Sequence, residues 1–324
     1  MKIFLTGAAG QIGTDLIRTL RSRGHTLVAT DIRNPESGPV LPGKDLVWHE
    51  LDVTNGSEVS RLIGEARPDA VFHLAAILSA RGEANPQRTY LINELGTFHV
   101  FEACREHAVK QLLFTSSIAA YGPGLPDPTP EEVPLHPTTI YGVTKVGGEL
   151  LAEYYHERFD LDVRGVRFPG LISAVMPGGG TSDYSLYMYT EGIAKGHYEA
   201  FCRADTRIPL MYMPDGVRAL IELANTPRER LRRRIYNVAA FSPTAAQIAE
   251  SVTRAVGNVS ITFAPDPLRQ AILDSWPRSL DDRAAREDWG WKPAFDLEAM
   301  TADLVPRLRD LLSRERVTDQ AASQ

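Results

Sequence analysis

The first half of the chain alternates short apolar runs with longer amphipathic stretches: KIFLT, then QIGTDLIRTLRSRG; TLVAT; DLVWHEL, then SEVSRLIGEA; DAVFHLAA, then a helix around TYLINELGTFHVFEACREH; and QLLFTSS. Strand-length runs of Val, Leu, Ile and Phe separated by helix-length segments predict βαβ units, whose strands lie parallel in a sheet covered by helices on both faces. The expected fold class is α/β, a Rossmann-type doubly wound parallel sheet with a smaller C-terminal substrate-binding lobe. Between Tyr121 and Thr139 the segment YGPGLPDPTPEEVPLHPTT is too crowded with proline for a helix interior or a central strand, so it reads as a surface loop. TIYGVTKVGGELLAEYYHERF then reads as a long helix and DVRGVRF as a strand. Past Pro169 the rhythm breaks into glycine- and proline-punctuated stretches with short helices. The expected division is a first domain over residues 1–170, rejoined by about 212–240 where IYNVA reads as a strand, and a substrate-binding lobe over residues 171–324.

Composition removes several function classes. The net charge is −6 and no run of five or six like charges occurs, so neither nucleic acid nor a membrane surface is expected as a partner. RERLRRR at 228–234 reads as a solvated turn. Two cysteines, Cys104 and Cys202, exclude a disulfide framework and a thiolate-rich site, and the eight histidines lack HExxH spacing, so no metal is expected. MKIFLTG has too short an apolar run for a signal-peptide core, and no segment approaches the ~18 apolar residues of a membrane span. Cytoplasmic residence is the default expectation.

TGAAGQIG places Gly7, Gly10 and Gly13 directly after a strand, with Gln11 and Ile12 opening a helix. In a dinucleotide site the first glycine permits the tight turn, the second lets backbone approach a pyrophosphate, and the third lets helix and strand pack closely. The next strand, TLVATDIR, ends in Asp31, eighteen residues past Gly13, where a carboxylate accepts hydrogen bonds from the adenosine ribose. Asp31 also repels a 2′-phosphate, so the expected cofactor is NAD, with Arg33 as the one nearby feature that favours NADP.

YGVTK sets Tyr141 and Lys145 on one face of a helix. A phenol of pKa ~10 is a poor base at neutral pH. A neighbouring ammonium and a positive nicotinamide ring would both favour its phenolate, and Lys145 can reach the nicotinamide ribose. Upstream, LLFTSS brings Thr115, Ser116 and Ser117 to the carboxyl end of a strand, where open α/β sheets bind ligands. His73 reads as a packed residue on a buried strand.

TGAAGQIG, VFHLAA, FTSSIAAYG and YGVTK, in this order and spacing, resemble the extended short-chain dehydrogenase/reductase superfamily, which includes nucleotide-sugar epimerases and dehydratases. The resemblance covers essentially the whole chain. It implies catalytic roles for Tyr141, Lys145 and Ser117, with Ser116 lining the same site, and leaves open which serine makes the decisive hydrogen bond. It further implies that Asp52 and Val53 flank the adenine, that Leu74, Ala75 and Ala76 line the cofactor, that Asn93 supports the site and that Pro169 sits against the nicotinamide. The apolar faces of the 88–107 and 140–159 helices resemble those that pair two subunits in this superfamily, so a homodimer is expected.

A second glycine loop separates members of the superfamily. RFPGLISAVMPGGGTSDYSLYMYTEG and DTRIPLMYMPD resemble the NAD-dependent L-threonine 3-dehydrogenases of the extended short-chain type. No buried strand reads directly into this loop, which argues against a second phosphate cradle. Thr181, Ser182 and Asp183 read as N-cap residues of the following helix, whose exposed N–H groups suit a small anion such as an amino-acid carboxylate. Thr181 is the lead contact, with Gly180 through its backbone. The resemblance adds Ser79 and Trp276 as substrate contacts. It implies oxidation of L-threonine at its β-hydroxyl to 2-amino-3-oxobutyrate. A nucleotide-sugar epimerase or dehydratase that keeps NAD bound, or a dinucleotide sensor without activity, are the alternatives.

Overall fold

The computed structural model describes residues 1–33, 43–175 and 178–322, with side chains to residue 314. Met176 and Pro177 of the second glycine loop lie outside the described residues.

Seven strands form one parallel sheet: β1 (Lys2–Thr6), β2 (Thr26–Asp31), β3 (Leu46–Glu50), β4 (Ala70–His73), β5 (Gln111–Ser117), β6 (Asp162–Phe168) and β10 (Ile235–Asn237). Their order is β10-β6-β5-β4-β1-β2-β3, so the winding reverses between β1 and β4 and opens a crevice at their carboxyl ends. The sheet is doubly wound as its sequence rhythm requires. On one face, α1 (Gln11–Ser22) and α8 (Met213–Asn225) bury Leu16, Ile17, Leu20, Leu220 and Leu223. On the other, α2 (Gly56–Ala66), α5 (Gly96–Glu106) and α6 (Ile140–Phe159) bury Val59, Leu62, Phe101, Cys104, Ala152 and Tyr155. α8 and β10 carry the chain back to the sheet, which is where IYNVA was expected to rejoin it.

Between β4 and α5 run the short helices α3 (Ser79–Glu83) and α4 (Pro86–Tyr90). α4 continues into α5 through a π turn, Leu91–Leu95, so the single helix expected here is widened by one turn in its middle.

A third core belongs to the C-terminal part. Short parallel pairs join β7 (Gly170–Ile172) to β9 (Leu210–Tyr212), and β8 (His197–Ala200) to β11 (Ser260–Phe263). β7 corrects the reading that no buried strand precedes the second glycine loop, although it stands outside the main sheet. α7 (Tyr184–Lys195), α9 (Ala245–Val256), α10 (Pro267–Asp274) and α12 (Leu297–Ala322) pack around Tyr184, Met188, Ile248 and Leu273. α11 (Arg283–Trp289) joins the sheet side through Ala285 and Trp289. The lobe does not contain only short helices: α12 runs for 26 residues because Met300, Leu304 and Leu308 form one buried stripe, with Pro306 on its exposed side. Among the described residues no helix is long and apolar enough to cross a membrane, and no cluster of His, Cys, Asp or Glu could hold a metal.

Candidate active site

The crevice between β1 and β4 is shaped by absent side chains. Gly7 has φ +67°, and a Cβ there would lie 2.6 Å from the Ala75 backbone nitrogen. At Gly13 a Cβ would lie 2.6 Å from the carbonyl oxygens of Gly7 and Ala8, so only glycine lets α1 start this close to β1. Gly10 is the N-cap of α1, with no side-chain cap and no acid in the first turn, where Gln11 and Ile12 stand. That helix start carries no internal carboxylate, as an anion site requires. The rest of the rim is tied to the same turn. The backbone N–H groups of Leu74 and Ala75 donate to Thr6 Oγ1 at 3.2 and 3.3 Å. Asp31 Oδ2 accepts from Ala9 N at 2.9 Å, and Oδ1 accepts from Arg33 N and Nε, both at 3.1 Å.

Asp52 closes a turn by accepting from Thr54 N at 2.9 Å, and Val53 is buried against Gly96, its carbonyl held by His99. Asn93 sits in the π turn and clamps Ile77 from both sides, its Oδ1 accepting from Ile77 N at 2.8 Å and its Nδ2 donating to Ile77 O at 3.0 Å. The extra residue of the π turn turns this amide toward the segment leaving β4. Pro169 is buried between β6 and β7. His73 bonds Thr6 and Thr97 through its two ring nitrogens, and burial lowers its pKa to about 3, so it is neutral packing.

Tyr141 is the second residue of α6. It meets β5 because Gly142 packs on the turn that follows Ser117: a Cβ there would overlap the Ala119 carbonyl oxygen. The Ser117 hydroxyl, which accepts from Ala119 N at 3.2 Å, is the neighbour that lowers the Tyr141 pKa. Lys145 is buried, donates to the Thr115 carbonyl at 2.6 Å and stands 5.4 Å from the centre of the Tyr141 ring. Ser116 goes elsewhere. Neighbouring strand residues face opposite ways, and its hydroxyl donates to Glu149, which is bound by Arg167 at 2.8 and 2.7 Å in a buried ion pair. Arg167 in turn donates to the Tyr121 hydroxyl at 2.8 Å.

Burial raises the Tyr141 pKa to about 12, opposed by Ser117. Burial also lowers Lys145 to about 8, opposed by Glu149 and then Glu94. At neutral pH the buried phenol is uncharged and stands beside a weakened ammonium.

The second glycine loop lies against α3. Thr181 and Ser79 are both buried, their hydroxyls 3.1 Å apart, and Thr181 N donates to Ser79 Oγ at 3.2 Å. The N–H groups of Gly179, Gly180 and Thr181, expected to be free here, are taken within the protein. Residues Thr181–Asp183 form a 3-10 turn, and the Asp183 carboxylate folds back to accept from both Gly179 N and Gly180 N at 2.8 Å. Asp183 is thus the anion of its own loop rather than the cap of α7. Trp276 lies in the same core as the buried side of Tyr141, and its indole N–H is buried with no acceptor.

A sequence model of the NAD dependent epimerase/dehydratase family matches residues 3–239. The chain belongs to that family. Within this epimerase/dehydratase fold, the mitochondrial L-threonine 3-dehydrogenase of Bos taurus is 40% identical over 308 residues, 94% of this chain and 82% of that protein. The L-threonine dehydrogenase structure from Clostridium difficile superposes with a TM-score of 0.90 at 38% identity, covering 95% of this chain and 98% of that one. A monomeric L-threonine 3-dehydrogenase from a metagenome, in its apo form, has a TM-score of 0.90 at 38% identity over 95% of this chain and 99% of its own.

Proposed function

We propose that the chain is an NAD-dependent L-threonine 3-dehydrogenase. The observation that carries the reading is the Ser117–Tyr141–Lys145 cluster at the carboxyl end of β5, together with the buried Ser79–Thr181 contact, in a chain similar along its length to threonine dehydrogenases. NAD fits the crevice: the glycine turn leaves room for a pyrophosphate at the α1 start, lined by Gly7, Gly10, Gln11, Ile12 and Gly13. Asp31 stands where the adenosine ribose would bind, and the Arg33 Nε is committed to Asp31, which supports NAD over NADP. Asp52, Val53, Leu74, Ala75, Ala76, Asn93 and Pro169 complete the cofactor wall.

Bound NAD would supply a hydride acceptor and a positive charge, and a positive charge near Tyr141 would favour its phenolate. Tyr141 then takes the proton of the substrate β-hydroxyl, Ser117 holds the oxygen, and Lys145 sustains the phenolate and the ribose. The substrate β-carbon gives up its hydride and the product is 2-amino-3-oxobutyrate. The hydroxyls of Ser79 and Thr181 and the unpaired indole N–H of Trp276 contact the amino acid, while Gly180 contributes the loop shape because its N–H belongs to Asp183. Ser116 supports the site from behind through Glu149. Two copies pair through the outer faces of α5 and α6.

The test is direct. The protein is mixed with NAD and, separately, L-threonine, L-allo-threonine, L-serine and a UDP-sugar, and NADH absorbance is followed. Threonine is expected to give the fastest rise. Silence with every amino acid, with NAD retained through purification and conversion of the UDP-sugar, would establish an epimerase instead. Tyr141→Phe is expected to remove turnover by about 1000-fold while leaving the Kd for NAD within about twofold.

A further inference from the structure

α6 begins with backbone N–H groups that its own carbonyls cannot reach. Thr139 Oγ1 takes the N–H of Gly142 at 3.0 Å, and the N–H of Ile140 is taken from outside the helix, by Glu83 Oε1 at 2.8 Å. The two caps bracket Tyr141, so the placement of its phenol depends on both. Glu83 ends α3 and Ser79 begins it, one helical turn apart. Ser79 bonds both the hydroxyl and the N–H of Thr181. The contact extends along the loop: the Arg81 stem lies over Gly179, where a Cβ would be 2.7 Å from it, and Leu78 meets Gly178. Thr89 holds the middle of α3 by donating to the Gly82 carbonyl at 3.0 Å. One short, clamped turn therefore touches the glycine loop at its first residue and the start of the Tyr141 helix at its last.

We propose that Glu83 is a positioning residue: through α3 it ties the docking of the Thr181 loop on Ser79 to the placement of the first turn of α6, and so of Tyr141. With the loop undocked, α3 is free to shift, the Ile140 cap loosens and the helix start frays. With it docked, the carboxylate meets both an N–H donor and the positive end of a 20-residue helix. Coupling of this kind runs equally in both directions. Its activity arm rests on the threonine reading above, and its exchange arm does not.

The exchange arm follows amide hydrogen exchange of residues 139–143 in the ligand-free full chain. Ser79→Ala, which in the ligand-free chain removes the hydroxyl that holds the loop, is expected to speed exchange at the start of α6 on the order of tenfold. Glu83→Ala is expected to speed exchange across residues 178–183 in return. Unchanged exchange at the far element in both variants overturns the proposal. In the activity arm, Glu83→Gln keeps size and an acceptor and is expected to lower kcat for L-threonine severalfold, Glu83→Ala about tenfold, with the Kd for NAD within about twofold. The losses in Glu83→Ala and Ser79→Ala combined should be smaller than their product. Losses that simply multiply, with only Tm lowered by Glu83→Ala, mark a passive helix cap and overturn it; if Glu83→Ala does not fold, Glu83→Gln carries both arms. Coupled exchange in a protein that does not oxidise threonine sustains this proposal and removes the substrate reading.

Discussion

At the scale of single residues, the site sets function against stability. The Lys145 ammonium is buried, and its pKa falls to about 8 from 10.5 because desolvation outweighs Glu149 and Glu94. A folded-state pKa below the unfolded one means that the charged form is disfavoured by folding. The penalty is fully present below about pH 8 and fades as pH rises toward the unfolded value. Lys145→Met should therefore abolish turnover and yet raise Tm at pH 7, with the gain shrinking between about pH 8 and pH 10. Thermal unfolding at several pH values checks this; a lower Tm at pH 7 would show that the bond to the Thr115 carbonyl outweighs burial. The two serines separate in the same way. Ser117→Ala removes the partner of the Tyr141 phenol and should act on kcat, whereas Ser116→Ala leaves Glu149 with one donor fewer and should act mainly on Tm.

At the scale of elements, the second glycine loop is held by the carboxylate that was expected to cap the next helix. Asp183→Ala would leave the N–H groups of Gly179 and Gly180 without their acceptor, and at a half-buried turn the loss costs about 1 kcal/mol. The expected outcome is a KM for L-threonine raised on the order of tenfold with the Kd for NAD unchanged, and an intermediate value for Asp183→Asn, which keeps an acceptor oxygen. Steady-state kinetics beside NAD titration measure the split, and equal effects on both ligands would mean that the loop serves the cofactor. The contrast between the two glycine loops explains what was legible in the sequence. The first is a local device: strand, turn and helix follow one another, and Gly7, Gly10 and Gly13 show their purpose through spacing alone. In the second, Asp183 folds back onto Gly179 and Gly180, but Thr181 is held by Ser79 from 102 residues away, and spacing carries no trace of that contact. The π turn at Leu91–Leu95 was hidden for a related reason, since LINEL has the composition of an ordinary helix and only the Ile77 backbone it reaches distinguishes it. Ser116 and Ser117 were adjacent letters until the strand gave them opposite faces.

At the scale of the whole molecule, most buried apolar residues among those described fall in three cores, and a group of exposed ones gathers on two neighbouring helices. Tyr90, Leu91 and Phe98 on the α4–α5 helix and Val143, Leu150 and Tyr154 on α6 are each more than 40% exposed. Six large apolar side chains on two neighbouring helices form the kind of patch that a partner usually covers. The fold alone does not compel pairing, because a relative described as monomeric shares it. Amid the patch lies Glu94, its carboxylate against Gly147, where a Cβ would overlap it. Burial pushes its pKa up to about 7, with Lys145 pulling it back. Covering the face removes more water from that carboxyl and raises its pKa further, so the protonated form associates more readily and pairing should tighten as pH falls through about 7. Sedimentation at micromolar concentration should give twice 35.8 kDa. Leu150→Glu with Tyr154→Glu should weaken association by roughly 100-fold or more, and Glu94→Gln should strengthen it and remove its dependence on pH. A wild-type species of 35.8 kDa at every pH would assign the face to a different partner.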